Sequence, residues 1–304
     1  MRMTTPQRAR GIALMLGAGV CWSSGGLIVR LVSIRDPWEI VFWRALFMAL
    51  FVALLLGLAH RRTLPAQVRA VGATGVVAAI CLAAQICLFI LALKHTSTAN
   101  TFVLMSISPL ATAMFGRIFL SEPVAMSTWV AIAVALAGIG VMFGDGFGAG
   151  FGDPAGGTRW LGNIFALCVP FAYATQILFV RRMQRPGHPV PNLMPTILIA
   201  GAIAAVPGFA LAASFEATAK DIGLLAMMGC VQLGLGCYLM TLAVPHLRAA
   251  EMGLLALVET VLAPFWVWIG VGEVPRPSAL AGGAMIVGAL LVNGMFALRQ
   301  PART

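Results

Sequence analysis

Stretches of about twenty apolar residues, the length that crosses a hydrocarbon layer about 30 Å thick, recur along the whole of this chain. They fall roughly at 11–33, 38–59, 70–93, 98–120, 126–144, 160–180, 190–212, 221–243, 249–270 and 278–298. Short polar breaks separate them, such as HRRTLP (60–65), RRMQRPGHP (181–189) and GEVPRP (272–277). Only 10% of the residues are charged and 60% are hydrophobic, whereas a soluble domain is about a quarter charged. Strands of a membrane barrel would run about ten residues with alternating polarity, and these segments do not alternate. The pattern predicts an all-α membrane protein with ten transmembrane helices.

The net charge of +10 points to the bilayer rather than to nucleic acid because of where the cations fall. With the N-terminus in the cytoplasm, the inner loops and tails hold Arg2, Arg8, Arg10, Arg61, Arg62, Arg69, Arg181, Arg182, Arg185, Arg248, Arg299 and Arg303. The outer loops hold Arg30, Arg35, Lys94, Arg159, Lys220 and Arg276. Twelve against six follows the positive-inside rule and predicts both termini in the cytoplasm, the chain lying in the inner (plasma) membrane. The three arginines before the first segment also resemble the start of a signal peptide. Nine further apolar segments follow, which favours a first membrane helix instead. All six cysteines fall inside predicted helices without metal-ligand spacing to histidine, and read as small packing residues.

The chain also resembles itself. At an offset of 151 residues Arg30 meets Arg181, His95 meets His246, Glu122 meets Glu273, Gly11 meets Gly162, and Ser127 meets Ser278. Arg, His and Glu are scarce here, so three such coincidences at one offset carry weight. The halves are residues 1–144 and 160–304, five helices each, joined at 145–159 by a Gly-rich run that reads as a flexible linker. A unit with an odd number of crossings hands the chain on from the opposite side. The second half is therefore expected to be inverted relative to the first, as in many secondary transporters.

The ends of the two halves, SISPLATAMFGRIFLSEPVAMSTWVAIAVALAGIG (106–140) and ALVETVLAPFWVWIGVGEVPRPSALAGGAMIVGALLV (256–292), resemble the EamA repeat of the drug/metabolite transporter superfamily. In that repeat a kinked helix leads to a Ser-Glu or Gly-Glu turn and then to a last helix rich in small residues. SEP (121–123) and GEV (272–274) match the turn, and VFWRAL (41–46) resembles the arginine-bearing second helix. The resemblance implies a transporter of small organic metabolites. Bacterial members are often exporters of amino acids or similar metabolites, including those of the YddG kind. Nucleotide-sugar carriage is a weaker fit, because a diphosphate wants several cations in the cavity and Arg44 is the one good candidate.

The polar groups set at membrane depth are the candidates for a central cavity. Glu259 sits mid-helix, where a charge costs roughly 2.5–3.5 kcal/mol. It can serve as a proton carrier, as a site for a cationic group, or as a structural carboxyl bonded to a facing helix. The superfamily often has Glu-Pro here, and Thr260 stands in the proline position, which favours structure. Arg44 can snorkel to the surface or attract a substrate carboxylate. Trp22 and Ser24 in CWSSGG align by the repeat with Tyr173 and Thr175. These suit an amphipathic solute, although small and hydroxylated residues also serve close helix packing. Gln85, Asn100, Gln176 and Gln232 can bond across helices or face the cavity. Met105 and Ser108 share one face of the fourth segment with Thr101, Thr112 and Phe115, and Trp266 lies on the face of Glu259 with Met252 and Leu255. Such stripes can line a cavity or simply form core.

Pro109 and Pro264 are the predicted hinges, with further bends at Pro170 and Pro195. His95, His246, Glu122 and Glu273 read as turn and helix-end residues. No metal, cofactor or enzyme chemistry is indicated, since the glycines of GDGFGAGFGDPAGG precede no strand. The expected partners are a small-molecule substrate and the lipid bilayer, with a homodimer through the small-residue helices as a candidate. The rival reading is a sensing or lipid-handling membrane protein that binds without flux.

Overall fold

The computed structural model describes residues 5–60, 64–96, 98–151, 159–183, 193–272 and 277–299. The chain is all-α across these residues, as hydrocarbon demands: a helix satisfies every backbone group within its own segment. Eight helical stretches are long and apolar enough to cross a membrane: Pro6–Leu31, Pro37–Leu58, Gly72–His95, Thr101–Leu120, Trp160–Met183, Met194–Leu211, Ala219–His246 and Ala249–Gly270. Two shorter apolar stretches, Met126–Val141 and Leu280–Asn293, coincide with the other two expected spans. Large apolar side chains face outward, with Leu58 78% and Ile269 73% exposed. Such a surface is favourable against lipid and costly in water. The molecule is a multi-pass membrane protein.

Several spans are broken. The first is α1 (Thr5–Ser23) and α2 (Gly25–Leu31), joined at Ser24. α3 (Pro37–His60) follows, then short α4 (Leu64–Ala70) and long α5 (Gly72–His95). The fourth span is α6 (Thr98–Met105) and α7 (Ser108–Leu120), followed by α8 (Met126–Phe151), α9 (Arg159–Met183) and α10 (Met194–Leu211). The stretch Ala219–His246 contains α11 (Ala219–Met227), a π-helical stretch Met228–Leu235, and α12 (Gly236–Ala243). The stretch Ala249–Gly270 is broken into α13 (Ala249–Ala256) and α14 (Val258–Val271), and α15 (Pro277–Arg299) ends the described chain.

The break between α6 and α7 has a chemical cause. Pro109 has no N–H, so the carbonyl of Met105 four residues earlier loses its partner; the Ser108 hydroxyl donates to that carbonyl at 2.5 Å. The matching break between α13 and α14 lies at Leu257, where the N–H turns back to Leu254 O at 3.2 Å. Position 257 is one 151-residue repeat from Ser106. The hinge expected at Pro264 is thus displaced: α14 runs through Pro264, and the interruption comes seven residues earlier. Pro109 itself sits in the first turn of α7, where a missing N–H costs nothing. Pro195 likewise opens α10, while Pro170 lies inside α9.

The expected linker also differs. α8 continues through the glycines of 144–151, because internal hydrogen bonding outweighs the roughly 1 kcal/mol cost of each glycine where few other partners exist. The rest of the run, 152–158, lies outside the described residues, as does Glu273.

α5 packs on α9, α3 on α10, α1 on α12, and α8 on α15. The small-residue stripes of the last two are used within the chain. A Cβ placed on Gly138 would stand 2.9 Å from Gly282 O, so that contact is intramolecular.

One buried carboxylate holds α11 in place. Asp221, fully buried, accepts from Ser33 N at 2.8 Å, Ser33 Oγ at 2.7 Å, Thr218 N at 3.1 Å and Thr218 Oγ1 at 2.6 Å. The signature TAKD (218–221) is a capping box, here extended to the other half of the chain. Asp221→Ala is expected to lower stability by about 2 kcal/mol, read as a reduced melting temperature in detergent, with Asp221→Asn losing less.

Candidate functional site

A cavity of roughly 100 Å³ opens at the centre of the bundle, where α1, α3, α5, α9, the π-helical stretch and α12 converge on the breaks between α6 and α7 and between α13 and α14. Nine of the twelve residues singled out from the sequence line it: Trp22, Arg44, Gln85, Met105, Ser108, Tyr173, Gln176, Gln232 and Glu259. Leu82, Ile86, Phe89, Val169, Leu233, Cys237, Met240 and Ala256 complete the apolar wall.

Arg44 does not snorkel. It is 3% exposed and its guanidinium is held on three sides. Nη2 donates to Gln232 Oε1 at 3.2 Å, Nη1 approaches Ile86 O at 3.5 Å, and the group lies 5.1 Å over the Phe89 ring. Nε is buried without a partner. Gln232 in turn donates to Trp22 O at 3.2 Å, so one amide bridges the arginine to the first span. The π-helical stretch presents Gln232; such wider turns occur often at functional sites.

On another wall Gln85 donates to Gln176 Oε1 at 2.8 Å, linking α5 to α9. Trp22 and Tyr173, equivalent by the repeat, meet edge to face with ring centres 6.4 Å apart. The Tyr173 hydroxyl is buried and has no partner. Glu259 reaches the cavity from the first turn of α14. Among the described residues it forms neither a salt bridge nor a hydrogen bond. Arg44 and Glu259 thus place opposite charges around one cavity without spending them on each other.

Two candidates, Ser24 and Trp266, are not on the cavity wall. Ser24 is consumed at the α1–α2 joint, where its hydroxyl donates to Cys21 O at 3.0 Å. Trp266 does not line the cavity and donates to Ser23 Oγ at 2.6 Å. Asn100 is on α6, with its side chain outside the described residues, as is that of Pro264. Neither histidine lines the cavity. His95 Nδ1 is 2.8 Å from Leu91 O and its ring meets Phe165 edge to face. Thr175, the repeat equivalent of Ser24, bonds back to Phe171 O on the outer surface.

Some residues were not legible as site or framework. Cys237, read as packing, stands on the cavity wall beside Trp22. The buried carboxylates Glu39 and Glu251 carried no signal beyond lying near predicted helix ends. No cluster of three metal-ligating side chains occurs among the described residues.

Comparison with known proteins agrees with this architecture. A protein crystal structure 18% identical in sequence superposes with a TM-score of 0.75, covering 96% of this chain and 98% of that one; it shares the fold. Over 286 residues the chain is 25% identical to the pseudopaline exporter CntI of Pseudomonas aeruginosa, from strains UCBPP-PA14 and PAO1. The alignment covers 91% of this chain and 93% of the relatives. Residues 9–144 and 160–295 each match the EamA-like transporter family. The chain therefore belongs to the EamA-like transporter family, and is a small-molecule transporter rather than an enzyme.

Proposed function

We propose that this protein exports a small zwitterionic metabolite, an amino acid or a related amino-carboxylate, across the inner membrane by alternating access. The observation that carries the reading is the pairing of Arg44 and Glu259 around one cavity without a bond between them. Arg44 receives the solute carboxylate and Gln232 fixes the arginine's orientation. Glu259 faces the ammonium group or carries a proton in its place. The Trp22, Tyr173 and Phe89 rings enclose the apolar part. Ten crossings, arranged as inverted halves 1–144 and 160–304 with both termini cytoplasmic, supply the mechanical symmetry. Two features support that arrangement: the paired breaks at 106–107 and 257, and helix pairings that exchange with one another when the halves are exchanged.

The relatives named as pseudopaline exporters make pseudopaline a cargo to include in the panel. The test is flux in proteoliposomes with labelled amino acids, with and without a pH gradient, for the wild type and Glu259→Gln. Wild type is expected to accumulate some panel members in response to the gradient, and the Gln variant to lose that response. Flux unchanged by both gradient and substitution would make Glu259 structural and the protein a uniporter. A panel that binds without moving would favour a sensor.

A further inference from the structure

One wall of the cavity carries neutral hydrogen-bonding groups that the transport reading leaves unused. α9 brings Val169, Tyr173 and Gln176 to the cavity, at spacings of four and three residues that set them on one helix face. The neighbouring α5 contributes Gln85. Gln85 Nε2 donates to Cys81 O at 3.0 Å and to Gln176 Oε1 at 2.8 Å. A backbone carbonyl can only accept, so the first bond fixes which end of the Gln85 amide is nitrogen. Both of its N–H groups are then engaged, and the second bond fixes the Gln176 amide in turn. Gln85 Oε1 is left to accept and Gln176 Nε2 is left to donate. Neither forms a further hydrogen bond among the described residues.

The Tyr173 hydroxyl completes this set. Tyr173 is 7% exposed, and its hydroxyl is buried with no hydrogen-bond partner among the described residues. A buried hydroxyl left unpaired is unfavourable, and such groups are rare in native structures. It shares its face of α9 with the free amide of Gln176. The charged region lies further along α5: the Arg44 guanidinium sits over Phe89, which follows Gln85 by four residues, about 6 Å of helix. Two polar regions thus line one cavity, one charged and one neutral, about the length of a side chain apart.

We infer that the cargo carries an uncharged hydrogen-bonding side group besides its amino-carboxylate, a carboxamide in the first place, and that Tyr173, Gln176 and Gln85 select for it. The carboxamide oxygen accepts from the Tyr173 hydroxyl and Gln176 Nε2, and its NH2 group donates to Gln85 Oε1. An aliphatic side chain of similar length leaves all three protein groups unpaired. A site built from buried polar groups rejects such an analogue far more strongly than an apolar pocket rejects a missing methylene. The inference rests on the transport reading for the amino-carboxylate end and adds to it the class of side group.

The test is equilibrium binding of labelled glutamine and labelled norleucine to the purified full-length protein in detergent, because the two share a zwitterionic end and differ in the side group. Wild type is expected to bind glutamine about tenfold or more tighter than norleucine. Tyr173→Phe removes an oxygen that bonds nothing in the protein, so its melting temperature is expected to hold while the glutamine-to-norleucine preference falls by about fivefold or more. Gln176→Met, close in shape but without the amide, is expected to lower the preference in the same direction. Equal binding of the two by wild type overturns the inference and leaves the amino-carboxylate reading standing. So does a preference that both variants keep at the wild-type value, which places the selecting groups elsewhere. Binding of neither amino acid overturns the inference together with the transport reading beneath it. If one variant does not fold, the wild-type preference and the other variant decide.

Discussion

Arg44→Gln is expected to lower the initial rate of export at least about a hundredfold, with folded protein recovered at close to wild-type yield. A carboxylate that enters a desolvated cavity needs a charge to meet it. Losing one partner of such a buried, hydrogen-bonded pair costs about 3 kcal/mol or more, and each 1.36 kcal/mol is about a factor of ten in rate. The substitution spares the fold because glutamine can still donate towards Gln232, and Glu259 has no hydrogen bond to the arginine to lose. Arg44→Lys is expected to rescue only in part. A point charge cannot span Gln232 Oε1 and Ile86 O while lying over Phe89 as the planar guanidinium does. Counterflow in proteoliposomes gives the rate, and size-exclusion chromatography in detergent gives the folded yield. A Gln variant that exports within twofold of wild type would assign Arg44 to the framework.

The second large effect concerns stability. Gly162→Leu is expected to cost about 3 kcal/mol or more, seen as a steep fall in melting temperature and in the amount of protein inserted. A Cβ at this position would meet Thr96 N at 2.7 Å and His95 C at 2.8 Å. Those are backbone atoms of a neighbouring span, which cannot rotate away as a side-chain tip can. Gly11 stands in the same relation to His246, whose backbone carbon would be 3.4 Å from an added Cβ. These two glycines and the two histidines are the pairs that coincide at the 151-residue offset. Part of the internal likeness of the chain is thus a steric requirement met twice, where one span crosses the end of another. Gly162→Ala should cost less than leucine but remain measurable. A leucine variant as stable as wild type would mean that α5 and α9 tolerate separation at this crossing.

Hydropathy, charge placement and the internal offset were enough to define the class of molecule. Burial in lipid depends on composition summed over about twenty residues, and that sum needs no knowledge of neighbours. The same local reasoning picked out Arg44, Gln85, Gln176, Gln232 and Glu259, because a polar group at membrane depth must find a partner or a wet cavity. Local reasoning could not say which of these would be the case. Gln85 and Gln176 bond each other, Trp266 turns aside to Ser23, and Ser24 closes on its own helix. Only Arg44 and Glu259 bring opposite charges to one cavity unpaired with each other.

The choice depends on the rotation of each helix about its axis and on where its turns tighten or widen. The break at Leu257 has no proline to announce it, and the π-helical turn that presents Gln232 leaves no mark in composition. The ion pair between Arg8 and Glu251 was hidden for a related reason. Arg8 and Glu251 are 243 residues apart, and each alone reads as an ordinary residue near a helix end. The sequence by itself determined that the chain is a bundle of membrane helices with two similar halves and a few costly polar residues. The tertiary structure alone decided which of those residues meet, because contact between distant segments is set by the packing of whole helices against one another and not by any property of the residues taken singly.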